Sequence, residues 1–122
     1  MKNLLIVDDD EDIRLIVGMV LKSTGKYSVI EAENGKAGGD ILQNQAIDVL
    51  ILDYLLPDGK GSDLFDEWKQ TGLLDSVRVL MLTARQDAEL TKTLLASGID
   101  RIMHKPFDPG SLVAELETLS GS

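Results

Sequence analysis

Short, unbroken apolar runs alternate along this chain with stretches in which apolar residues recur at helical spacing. Leu4-Leu5-Ile6-Val7 and Val49-Leu50-Ile51-Leu52 have no polar interruption, as expected of central parallel strands buried on both faces. Tyr27 to Glu31, Val77 to Leu82 and Ile99 to His104 read as three further strands. Ile13, Ile16, Val17, Val20 and Leu21 form a helical stripe, with an Asp available as N-cap before it and Gly25 beyond its end. Asn34-Gly35 reads as a turn, and the stretch around Ala37 to Leu42 as a short helix weakened by glycine. Pro57-Asp58-Gly59 with Gly61 predicts a loop, after which Leu64, Phe65 and Trp68 give a third helix its inner face. Trp68 at that spacing is core rather than a binding platform. Leu90, Leu94 and Leu95 mark a fourth helix that ends at Gly98. Asp108 as N-cap and Pro109 at the first helical position open a fifth, carrying Leu112, Val113, Leu116 and Leu119.

Five strand and helix units in strict alternation predict a doubly wound α/β domain, a five-stranded parallel sheet with helices on both faces. At 122 residues the expectation is one domain over residues 1–122, with no linker or output domain; the terminal Ser-Gly-Ser leaves open a stand-alone protein or a piece of a longer one. There is no repeat of solenoid period.

Composition narrows the classes of function. No apolar run approaches the ~20 residues of a spanning helix, and Met1 leads straight into Lys2-Asn3 and the first strand without a signal segment. Cysteine is absent, which removes disulfides, thiol catalysis and thiolate metal sites and fits a cytoplasmic setting. The 21 acidic residues outnumber 12 basic ones, and a net charge of -9 repels nucleic acid and anionic membranes, so no direct binding to either is expected.

The chemistry lies where strands end. In doubly wound sheets, ligands bind outside the carboxyl ends of the strands, where the strand order reverses. Asp8, Asp9 and Asp10 follow the first strand and Asp53 closes the third. If those strands are neighbours, Asp8 and Asp9 converge on Asp53, and three carboxylates in one crevice imply a hard cation that prefers oxygen, for which Mg²⁺ is suited. Asp10, Glu11 and Asp12 are read instead as first-turn acids that complement a helix dipole. Asp53 closes a fully apolar strand and precedes Tyr-Leu-Leu-Pro-Asp-Gly, a poor helix cap, so it is the candidate phosphoryl acceptor. Thr83 and Lys105, at the ends of the fourth and fifth strands, bring a hydroxyl and an ammonium suited to phosphoryl oxygens. His104, the only histidine, reads as an ordinary strand residue rather than a phosphohistidine donor.

Through Val7-Asp8-Asp9-Asp10, Asp53-Tyr54-Leu55-Leu56-Pro57-Asp58-Gly59, Leu82-Thr83-Ala84 and Lys105-Pro106-Phe107, the sequence resembles the receiver domain of two-component response regulators over essentially its whole length. That resemblance implies a flavodoxin-like sheet of order 2-1-3-4-5. It also implies Asp53 as phosphoacceptor, and Mg²⁺ held by Asp8, Asp9, Asp53 and the Leu55 carbonyl. Thr83 would contact the phosphoryl group and move on activation, Lys105 would pair with it, and a cis peptide before Pro106 would place that lysine. Leu55 and Arg85, two residues beyond Asp53 and Thr83, would overhang the pocket and tune the lifetime of the phosphoryl group, in either direction. The implied partners are a histidine kinase or histidine phosphotransfer protein upstream, and downstream a protein target, an output domain or a homodimer formed on phosphorylation. Such domains catalyse only their own phosphorylation and dephosphorylation.

One position departs from the pattern. Ile102 stands where the family often has a switching Tyr or Phe, so signal transmission would need an aliphatic exchange there, or the fourth helix and its adjoining loop. Two other classes of function compete: a small Mg²⁺-dependent phosphohydrolase with Asp8 as nucleophile, from the Asp-x-Asp after strand one, and a receiver-like binding module that is never phosphorylated.

Overall fold

In the computed structural model, which describes residues 1–121, five parallel strands form one sheet: β1 (Lys2–Val7), β2 (Tyr27–Ala32), β3 (Val49–Asp53), β4 (Arg78–Thr83) and β5 (Arg101–His104). Their spatial order is β2-β1-β3-β4-β5, the expected 2-1-3-4-5, with the strand order, though not the strand direction, reversing between β1 and β3. Five helices alternate with them: α1 (Glu11–Ser23), α2 (Gly35–Asn44), α3 (Gly61–Gln70), α4 (Ala88–Ala96) and α5 (Pro109–Gly121). Ser122, last of the terminal Ser-Gly-Ser, lies outside the described residues.

The uninterrupted apolar strands are buried on both faces, and alternation divides the core into two layers. Leu4, Ile6, Val49, Ile51, Leu80 and Leu82 face α1 and α5, meeting Val17, Leu21, Leu112 and Leu116. Leu5, Val7, Leu50, Leu52, Val79 and Met81 face the other way, against Leu42, Phe65, Trp68 and Leu94. Each fully buried Leu or Ile contributes roughly 1.5–3 kcal/mol, and the central strands carry most of them.

The helix stripes are narrower than the sequence pattern predicts. On α1, Val17 and Leu21 are buried, while Ile16 lies on the flank with 43% of its surface exposed. Leu95 on α4 is likewise turned outward, one residue past the inward Leu94. The N-caps act locally: Asp10 accepts from the backbone N–H groups of Asp12 and Ile13, and Asp108 from that of Ser111. Gly25, at φ 71°, takes the left-handed conformation just past α1.

Helix α2 extends further than its glycines suggest, because its N-terminus is gripped twice. Asn34 Oδ1 accepts from Ala37 N at 2.8 Å, and the distant Asp58 carboxylate accepts from Gly35 N and Lys36 N at 2.9 and 3.0 Å. Two of its glycines are also needed for packing: a Cβ at Gly38 would meet the Val7 side chain at 2.8 Å, and one at Gly39 would meet the Trp68 ring at 3.2 Å. Asp58 belongs to the loop after β3, where Leu55–Leu56 and Gly59–Lys60 form a two-residue antiparallel ladder. The loop closes with Gly61 N donating to Tyr54 O at 2.6 Å, and a Cβ on Gly61 would run into the carbonyl of Asp53.

Candidate functional site

Sheet register brings the expected residues together. Val7 pairs with Leu52, so Asp8 emerges beside Asp53; Asp53 pairs with Leu82, so Thr83 stands one step beyond; Thr83 pairs with His104, and Lys105 follows. Four strands thus deliver Asp8, Asp53, Thr83 and Lys105 to one carboxyl-end crevice, at the switch point of the sheet. Asp8, Asp53 and Thr83 are the three buried polar or charged residues among the described core.

Lys105 Nζ lies 2.8 Å from Asp8 Oδ2 and 3.3 Å from Asp53 Oδ1. Carboxylate oxygens of Asp8, Asp9 and Asp53 all fall within 4.8 Å of one another, with Asp9 exposed at the rim. Three carboxylates face one ammonium. Burial, and then the Asp8 charge, push the Asp53 carboxyl up to about 6, against the opposing pull of Lys105 and the Leu55 backbone amide. Burial pulls the Lys105 ammonium down, but its hydrogen bonds and attraction to Asp8 and Asp53 outweigh this and raise it overall. An all-oxygen donor set with surplus negative charge, partly open to water, fits Mg²⁺: Asp8, Asp9 and Asp53 are the side chains able to hold it, and the charge surplus is what a divalent cation would neutralise.

The remaining expected residues line the mouth. Thr83 Oγ1 accepts from Arg85 N at 3.0 Å, and Lys105 N donates to Thr83 O at 2.8 Å. Asp53, Leu55, Thr83, Arg85 and Lys105, with Tyr54 and Ala84, border a cavity of about 150 Å³. The Lys105–Pro106 peptide is cis. Ile102 packs, partly buried, against the α2–α4 layer, and His104 ends β5 with its Nε2 buried and without a hydrogen-bond partner.

Residues that the sequence pattern did not single out support these. Arg14 donates from Nη1 to Asp8 O at 2.7 Å and from Nε to Glu31 Oε1 at 3.2 Å, fixing the turn that carries Asp8 and Asp9. Arg85 Nη2 lies 2.8 Å from Asp87 Oδ2, and Asp87 caps α4. Neither carries a motif; the available signal was an arginine one turn into α1 and an Asp ahead of a helical stripe.

A doubly wound sheet with an acidic, lysine-bridged crevice at its switch point defines the flavodoxin-like class of phosphorylation switches. Within that class, the family model for the response regulator receiver domain matches residues 4–117, and the chain belongs to that family. It is 31% identical over 120 residues to a chemotaxis protein CheY homolog of Campylobacter jejuni, covering 98% of this chain and 92% of that protein. It is 33% identical over 118 residues to the phosphate regulon transcriptional regulatory protein PhoB of Pseudomonas aeruginosa, covering 97% of this chain and 51% of that one. The chain therefore spans about half the length of the PhoB relatives it matches. Among solved structures, chemotaxis response regulator CheY4 of Vibrio cholerae superposes with a TM-score of 0.90 at 28% identity over 98% of both chains. A response regulator of Chloroflexus aurantiacus gives 0.90 at 31%, covering 99% and 98%. Receiver domains are signalling domains of two-component systems rather than classical enzymes. No helix among the described residues is long and apolar enough to cross a membrane.

Proposed function

We propose that this chain, a single receiver domain over residues 1–122, accepts a phosphoryl group on Asp53 from the phosphohistidine of a kinase or phosphotransfer partner and thereby changes its affinity for a downstream protein or output domain. The observation that carries this reading is the convergence of Asp8, Asp9 and Asp53 around Lys105, with Thr83 on the neighbouring strand end. An Asp53 carboxylate oxygen attacks phosphorus; the new P–O bond forms as the P–N bond breaks, and the leaving imidazole takes up a proton. Asp8, Asp9, Asp53 and the Leu55 carbonyl would hold Mg²⁺, which supplies charge neutralisation for the transferring phosphoryl oxygens. Lys105 contributes a fixed positive charge on the side of Asp53 that faces Asp8, and the Thr83 hydroxyl can donate to a phosphoryl oxygen while still accepting from Arg85 N. Leu55 and Arg85 overhang the opening and govern access of water, and hence the lifetime of the phosphoryl group. The cytoplasm, where kinases of this kind expose their phosphohistidine, is the expected setting.

Intact mass after incubation with acetyl phosphate, with and without Mg²⁺, tests the reading on the wild type and on Asp53→Asn. One added phosphoryl group that requires both metal and Asp53 is the expected result. Steady release of phosphate that survives Asp53→Asn but not Asp8→Asn would replace this reading with the phosphohydrolase, and neither adduct nor turnover would leave the unphosphorylated binding module.

A further inference from the structure

The segment from Ala84 to Asp87 runs between two hollows. On one side is the cavity over Asp53, which Arg85 borders; on the other is a groove of about 620 Å³ between α4 and β5, bordered by Asp87, Lys92, Leu95 and His104. The two charged residues of this segment are joined to each other. Arg85 Nη2 meets Asp87 Oδ2 at 2.8 Å, while Asp87 Oδ1 accepts from the backbone N–H groups of Glu89 and Leu90, at 3.0 and 3.2 Å, and so caps α4. Arg85 is tied to the crevice as well, through its backbone N–H to Thr83 Oγ1. An arginine that borders the cavity over Asp53 is thus held, through its guanidinium, by a carboxylate whose second oxygen fixes the start of a helix.

We infer that Asp87 parks Arg85, and that a phosphoryl group on Asp53 recruits the guanidinium, leaving Asp87 as an unpaired carboxylate at the groove between α4 and β5. The inference rests on Asp53 being the acceptor. Both partners of the pair are half-exposed, with 53% and 36% of their side-chain surfaces open to water, so their mutual attraction is weak and easily exchanged. A phosphoryl group offers more negative charge than a carboxylate and a geometry suited to the planar fork of arginine. Asp87 keeps its cap without Arg85, because a carboxylate at a helix N-terminus is favoured in its own right. The exchange gives the crevice a route to α4 that needs no aromatic side chain on β5, where Ile102 stands.

The same exchange affects hydrolysis. Water attacks phosphorus in line with the Asp53 oxygen; its P–O bond forms as the bond to Asp53 breaks, a proton goes to solvent and inorganic phosphate leaves. A guanidinium on the outer face of the phosphoryl group obstructs that approach, so Arg85 in place lengthens the lifetime of the adduct.

Asp87→Asn provides the test, since asparagine caps a helix as well as aspartate but lacks the charge that holds Arg85. The half-life of the phosphorylated protein, followed by intact mass after removal of acetyl phosphate, should lengthen roughly two- to fivefold in Asp87→Asn. It should shorten in Arg85→Ala, recover in part in Arg85→Lys, and be indifferent to Asp87→Asn in the Arg85→Ala background. An unchanged half-life in Asp87→Asn, or an equal lengthening without Arg85, overturns the exchange while leaving Asp53 as acceptor. Absence of any adduct on the wild type overturns the Asp53 reading, and the exchange with it.

Discussion

Removing the Asp53 charge should make the metal-free protein more stable, because the folded state holds that charge at a disadvantage. Its carboxyl is raised to about 6, from an ordinary 3.8, by burial and by Asp8. A carboxyl raised on folding is ionised more readily in the unfolded chain, so its contribution is destabilising: fully present above pH 6, shrinking as pH falls, and absent below about pH 4. At ~1.4 kcal/mol for each unit, the gap of about two units gives about 3 kcal/mol at neutral pH, and screening at the open mouth of the crevice reduces this to about 1–3 kcal/mol. For a chain of this length that is a rise in Tm of roughly 4–12 °C for Asp53→Asn. Thermal unfolding in EDTA at pH 7 measures it, and the same comparison at pH 5 should show a smaller gain. Saturating Mg²⁺ should also shrink the gain, since a cation that binds the folded wild type restores what the charge removed. A midpoint for Asp53→Asn in EDTA at or below that of the wild type would refute the account of the crevice as electrostatically frustrated.

Lys105→Met should act in the opposite direction: it strips the cation from the fully buried Asp8 and should lower stability by about 3–5 kcal/mol in EDTA, with partial recovery in Mg²⁺, read from denaturant midpoints. Gly61→Ala presses a Cβ into the Asp53 carbonyl and the Tyr54 backbone, which cannot yield as a side chain can, so a loss of roughly 1–3 kcal/mol and slower uptake of phosphoryl are expected. Asp10→Ala should cost about 1 kcal/mol through the α1 cap while leaving uptake of phosphoryl intact, and Asp10→Asn should cost almost nothing in the same unfolding assay.

What the sequence reveals and what it hides divide along a physical line. Strands β1 and β3 are legible because full burial leaves no polar residue in Leu4–Val7 or Val49–Leu52, and their carboxyl ends then locate Asp8 and Asp53 without any knowledge of the third dimension. Neighbouring positions of β1 and β3 are conditional in the sequence and settled by register in the structure. Local caps such as Asp10 follow from spacing. The extent of α2 does not, because its grip comes from Asp58, more than twenty residues away, and because Gly38 and Gly39 answer to Val7 and Trp68 rather than to helix propensity. Ile16 looks like core by spacing alone, yet the sheet contacts an arc of α1 too narrow to include it. Arg14, which reaches both Asp8 O and Glu31, and the pairing of Asp87 with Arg85 act through side-chain contacts that no period records.

The chain order of the sheet also bears on when the crevice comes into being. Asp8 and Asp53 come from β1 and β3 in the first half of this sequence, but Lys105 comes only with β5, the last strand of the sheet in chain order. Whenever β1 and β3 are paired without β5, two repelling carboxylates are adjacent without the ammonium that bridges them. A chain lacking β5 would therefore hold the Asp8 and Asp53 charges side by side with no lysine to offset them or to pair with a phosphoryl group on Asp53. If Asp53 is the acceptor, phosphoryl uptake would then depend on closure of the whole sheet, and a copy lacking β5 would not carry the signal.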